Sequence, residues 1–294
     1  MPWKKNEGER RVCSIRNRMR SEKLVWEGTR WLSPWVFPLL VAVWAVFFLL
    51  DACTYDLVIL QWETGELLPF CALRYLLCSP PQLQNVGLCC AVFAGAGLYA
   101  QDYGENAVYM RIQRMGARHY ACCRTMQVSI ASWLVGSAGM LLAILLTALV
   151  LRVPVLPQGT ANAGDWTTST FLQSGQNMEF LVWQVSMAGF RSMFYAVVTF
   201  AFSFFVPRRQ VLFALPMLLW YFNQYTLPWV GWIPDWLQPR VVFDLENAGR
   251  FGSVSEWGIL WRVTVSMVCL AVAVWALFVL HLRRAGIFGS EQSE

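Results

Sequence analysis

The chain has 294 residues, 57% of them hydrophobic and 14% charged, with a formal net charge of +5. Soluble globular proteins carry about 25% charged residues, and a chain of this length cannot hide so large an apolar excess in one core. These proportions exclude a soluble enzyme, a disordered chain and a disulfide-stapled secreted domain. With a mean hydropathy of +0.44, they leave an all-α polytopic membrane protein.

A spanning helix takes about 20 mostly apolar residues, because the hydrocarbon layer is about 30 Å thick and a helix rises 1.5 Å per residue. In chain order, residues 1–34 are a basic segment, cytoplasmic and interfacial. Six predicted spans follow at 35–55, 84–101, 126–151, 180–206, 211–230 and 258–282, within a transmembrane domain of residues 35–282. The basic stretch is too long for a usual signal peptide and no small-residue cleavage site follows, so the first span reads as an uncleaved anchor. Residues 57–78 hold two apolar runs, LVIL and LLPFCALRYLLC, each too short to cross, and read as an external amphipathic or re-entrant piece. Cys71 and Cys78 in that piece fit either a disulfide or plain apolar packing. Residues 283–294 form a cytoplasmic tail.

Lys and Arg are retained in short cytoplasmic loops and test this topology independently. With both termini inside, seventeen of the 23 basic residues fall on inner segments, and four, Arg74, Arg152, Arg240 and Arg250, fall outside. That bias arises only with an even number of crossings. The 16 tryptophans gather near the predicted interfaces, as amphipathic rings do.

No GxxxxGK[ST] occurs, so the chain has no phosphate cradle of the Walker type. HExxH and GxSxG are absent as well, and no enzyme activity is expected. The nine cysteines and two histidines have no metal-ligand spacing. Nothing in the sequence points to a nucleic acid.

Residues 101–125 read QDYGENAVYMRIQRMGARHYACCRT, in the inner loop between spans two and three. Val108, Ile112 and Met115 recur at helical spacing and share one face. Arg111, Arg114 and Arg118 make a neighbouring face. Asp102 and Glu105 stand ahead of the helix, where its positive end favours acids. Gly116 allows a sharp change of direction. The expected unit is an amphipathic interfacial helix over 102–118, tied to two spans. Contact of its arginines with lipid phosphate is the plainest reading.

The order of six spans and this basic loop resemble the permease subunits of ABC transporters of the type-2 exporter class. Glu105, then Arg114-Met-Gly-Ala-Arg118, then Arg124 follow the order of acid, R-x-x-x-R and a later basic residue found in that family. The short inner loop VPRRQ, the basic stretch ending LVWEGTRWLSPW and the long outer loop before span six are similar to the family's too. This sequence departs in having Gly104 before the acid and Arg124 where Lys is commoner. The resemblance implies a coupling helix that docks on a separate cytoplasmic ATPase through Glu105, Arg111, Arg114, Arg118 and Arg124. It also implies ATP bound by that partner and not by this chain, a second permease chain, identical or different, and a place in a bacterial plasma membrane.

Within the spans, Arg191 lies near mid-depth of the fourth, where a charge needs a partner or water. Gln184 precedes it on the same face, and Asn223 and Gln224 in span five are candidate partners. These residues fit a substrate path, a seam between permease chains, or an internal structural contact. Gly87, Ala91 and Gly95 repeat every four residues and permit close helix approach, either at a seam between two chains or, more simply, within the bundle. Phe200, Phe202, Phe204 and Phe205 are expected to face lipid. A partner-free secondary transporter and a non-transporting sensor or immunity protein are the alternatives.

Overall fold

The structure, a computed structural model, describes residues 35–62, 71, 72, 76, 84–156, 171, 174–226 and 255–284. Eight α-helices run through the described residues, with no strand among them. They are α1 (Val36–Trp62), α2 (Gln84–Phe93), α3 (Leu98–Gly104), α4 (Ala107–Met115), α5 (Ala117–Leu151), α6 (Asn177–Ser203), α7 (Arg209–Tyr221) and α8 (Glu256–Arg284). A five-residue π turn, Phe222–Thr226, continues α7. Four helices, α1, α5, α6 and α8, are long and apolar enough to cross a membrane.

Two expected spans are interrupted. Residues 84–101 are α2, a turn at 94–97 and the start of α3. Gly95 and Gly97 lie in that turn, and glycine is poor at holding helix geometry. The break is tolerable because Gly95 and Ala96 are buried in protein, where the loosened backbone need not meet lipid. Residues 211–230 give α7 with Pro216 inside it, then the π turn; 227–230 lie outside the described residues. Proline removes one N–H from the helical ladder and crowds the preceding turn.

The 57–78 reading needs correction at its start. Residues 57–62 are not a separate piece but the end of α1, which runs 27 residues. LVIL simply extends an apolar helix with no glycine or proline to stop it. Cys71 is buried, and Cys78 lies outside the described residues, as does any bond between them. The segment 1–34 and residues 285–294 also lie outside.

The α5–α6 pair forms the centre of the bundle, and small residues let it close. Gly136 faces Ser192 and the Ala188 carbonyl; Gly189 faces Ser137 and Trp133. A Cβ on Gly136 would stand 2.6 Å from the Ser192 Cβ. In an apolar solvent such close packing, not the hydrophobic effect, holds helices together. Trp44 of α1 is 2% exposed and wedged between Gly87 of α2 and Gly139 of α5. Gly95 meets the backbone of Val128. The Gly87–Gly95 repeat therefore packs inside the chain.

Thr125, Ser129 and Ser132 donate to carbonyls one turn back at 2.9, 2.9 and 2.6 Å. These bonds satisfy the hydroxyls within their own helix.

The helices sort charge between two ends. Trp275 of α8 donates to the Arg118 carbonyl at 3.4 Å, so the last turn of α8, with Arg283 and Arg284, shares an end with α4. At the other end, Trp183 donates to the Glu256 carbonyl at 3.1 Å. The Phe200–Phe205 expectation is half overturned. Phe200 and Phe204 are 0% and 5% exposed and pack on Phe278, while Phe202 and Phe205 face outward.

Candidate functional site

The expected amphipathic helix over 102–118 is three pieces. Asp102 lies in α3, α4 spans nine residues, and Arg118 lies in the first turn of α5. Asn106 at φ 53° and Gly116 at φ 80° make the two breaks. Both conformations lie in the left-handed region, which asparagine and glycine tolerate better than other residues. Arg111, Arg114 and Arg118 therefore do not share a face, because Arg118 belongs to another helix.

Val108 and Ile112 of α4 are buried, as their spacing predicts, at 2% and 7% exposure. They rest in the core cluster that includes Tyr99, Ala117 and Tyr120. The opposite face presents Tyr109, Met110, Gln113 and Arg114 to the outside, with Tyr103 beside it. Glu105 is exposed and accepts a bond from the Gln101 amide at 2.9 Å.

Beneath α4 lies a buried charge cluster that sequence spacing does not reveal. Asp102 is 0% exposed. Its Oδ2 accepts from Tyr120 Oη at 2.7 Å and from Arg124 Nε and Nη2 at 3.1 and 2.6 Å. Arg111 Nη1 stands 3.4 Å from the other carboxylate oxygen. Arg124 also donates to Gln127 at 2.8 Å and lies over the Tyr120 ring.

One carboxylate thus joins α3, α4 and α5. Arg124, expected among the partner contacts, is 4% exposed and turned inward instead. Tyr120 and Arg124 sit one helical turn apart, which was the available signal. Their shared partner lies 18 and 22 positions upstream across two helix breaks, beyond any helical period. Next to this cluster, Tyr99 pairs with His281 at 3.3 Å and packs edge-on to Phe204 and Phe278. The end of α8 is thereby tied to α3.

The mid-bundle residues divide. Asn223 in the π turn donates to the Tyr195 hydroxyl at 3.3 Å, and Arg191 lies one helical turn before Tyr195 on α6. Gln184 is buried elsewhere on α6 with neither amide atom hydrogen-bonded. Gln224 is half-buried. Among the described residues no group of His, Cys, Asp and Glu side chains is arranged to hold a metal. No protein-family model, curated protein or solved structure matches the chain.

Proposed function

We propose that the chain is the membrane-spanning permease subunit of an ATP-driven transporter of the ABC type-2 exporter class. It crosses a bacterial plasma membrane six times with both termini in the cytoplasm. It pairs with a second permease chain and couples to a separate cytoplasmic ATPase. The second crossing is α2 with α3, and the fifth is α7 with its π turn. The stacking of Phe93 on Phe213, and the bond from Cys89 to the Phe213 carbonyl, support pairing of those two interrupted segments within the bundle.

The observation that carries the reading is α4 itself. It joins two membrane helices, its buried residues Val108 and Ile112 pack internally, and its other face is left uncovered. Tyr, Met and Arg, which that face supplies, are enriched at protein interfaces. A helix lying on lipid would turn Val108 and Ile112 toward acyl chains, and both are buried against the protein instead. Arg114 is the exposed cation of the face; Glu105, Arg111 and Arg118 flank it.

The mechanism follows from the linkage. A closing ATPase displaces α4. The contacts Arg111–Asp102–Arg124 pass the displacement to α3 and α5, and α5 carries α6 with it through the Gly136–Gly189 seam. The path between permease chains then changes the side to which it opens. Nucleotide chemistry stays on the partner.

The test is co-purification of the native complex. An ATPase should accompany the wild type and be lost from the Arg114→Glu, Met110→Asp double variant, with insertion unchanged. An ATPase retained by that variant at wild-type stoichiometry contradicts the docking face.

A further inference from the structure

A groove of about 500 Å³ runs between α5 and α8 on the flank of the bundle. Cys122 and Trp275 mark one end, Trp133 and Thr264 the other, and Met193 of α6 forms part of its floor. The hydroxyls that border it are turned back to their own helices. Thr125, Ser129 and Thr264 donate to the carbonyls of Ala121, Thr125 and Leu260. The walls left facing the groove are apolar.

Its dimensions select an occupant. From Cys122 to Trp133 the rise is roughly 16 Å, close to half of a hydrocarbon layer about 30 Å thick. The groove therefore follows one leaflet, the one at the α4 end. A single acyl chain, which spans about half of that layer, matches the groove in length and in apolar character.

The mouth of the groove supplies the charge. Arg118 lies one turn before Cys122 on the same face of α5 and is exposed. The bond from Trp275 to its carbonyl places the Arg118 backbone beside that end of the groove. Arg283 and Arg284 close α8 at that end. Neither helix has an acid there: α5 carries none, and Glu256 of α8 is at the opposite end.

The geometry points to a site for one acidic phospholipid, with an acyl chain lying in the α5–α8 groove and its phosphate at Arg118. The site needs only these apolar helices and does not rest on the ATPase reading. A lipid held there covers the flank of α5 just beyond the Asp102 cluster, where it stabilises one position of that helix.

The test uses the full chain in nanodiscs of phosphatidylcholine doped with phosphatidylglycerol, extracted into mild detergent and weighed by native mass spectrometry. Wild type should retain one phosphatidylglycerol per chain, with about fivefold preference over phosphatidylcholine from one well-placed arginine. Ala271→Trp, which fills the groove, should lower retention about tenfold. Leu145→Trp, on an exposed face of α5 away from the groove, should not. Arg118→Gln should keep the lipid but erase the headgroup preference. The proposal is overturned if Ala271→Trp and Leu145→Trp retain lipid equally, or if Arg118→Gln leaves the preference intact. It is also overturned if Ala271→Trp converts a lipid-free dimer to a monomer, which would identify a second copy as the occupant. Val268→Trp provides an independent filling variant should Ala271→Trp lose helical content.

Discussion

Asp102 and Arg124, 22 positions apart, meet at 2.6 Å with side chains 0% and 4% exposed. A buried pair of this kind gives little net stability relative to apolar residues, because desolvation offsets the attraction. Breaking it from one side is a different matter, since Asp102 then keeps only the Tyr120 bond and the longer Arg111 contact. Arg124→Met should therefore destabilise the fold by about 3 kcal/mol, the lower end for a broken buried pair. Adding Asp102→Leu should recover a large part of the loss. Thermal unfolding of both single variants and the double, read as a cycle, checks this; additive losses would mean the pair is not coupled.

The seam between α5 and α6 predicts a steep steric penalty. Gly136→Val puts two methyl groups where Ser192 and the Ala188 carbonyl stand, and overpacking of this type costs about 1–3 kcal/mol. Gly104→Ala, where an added Cβ meets nothing within 4 Å, should be neutral. Melting temperatures of the two variants in the same detergent make the comparison.

Tyr195→Phe removes the hydroxyl to which Asn223 donates. Loss of one buried hydrogen bond costs about 0.5–1.5 kcal/mol. Because the bond crosses from α6 to the π turn after α7, hydrogen exchange should rise at Phe222–Thr226 and stay unchanged in α8. Equal rises in both would assign Tyr195 to global stability alone.

Membrane orientation is open to direct measurement. Arg114→Cys and Arg152→Cys, placed singly in a chain without its other cysteines, should differ in intact cells. An impermeant maleimide should label position 152 and spare 114 until the cells are opened. Labelling of 114 from outside would remove α4 from any cytoplasmic partner.

Much of the membrane architecture is legible in the residues alone. Apolar runs over 126–151, 180–206 and 258–282 predict α5, α6 and α8 to within a few residues at most ends. The exception is the start of α5, which begins nine residues earlier, at Ala117. Burial of Val108 and Ile112 follows from their spacing, and the break at Gly116 from its lack of a Cβ. These features are local, set by hydropathy over one helix length or by one residue's allowed φ.

Tertiary structure decided what depends on residues far apart. The turn at 94–97 persists because protein covers it. Phe204 is buried because Phe278 of another helix stacks on it. Arg124 turns inward because Asp102 lies opposite it across two helix breaks, and no window of one helical period contains both. Periodicity reports which side of a helix is apolar. Which neighbour meets that side, and whether a charge there is paired within the chain or left for a partner, is set only when the helices pack.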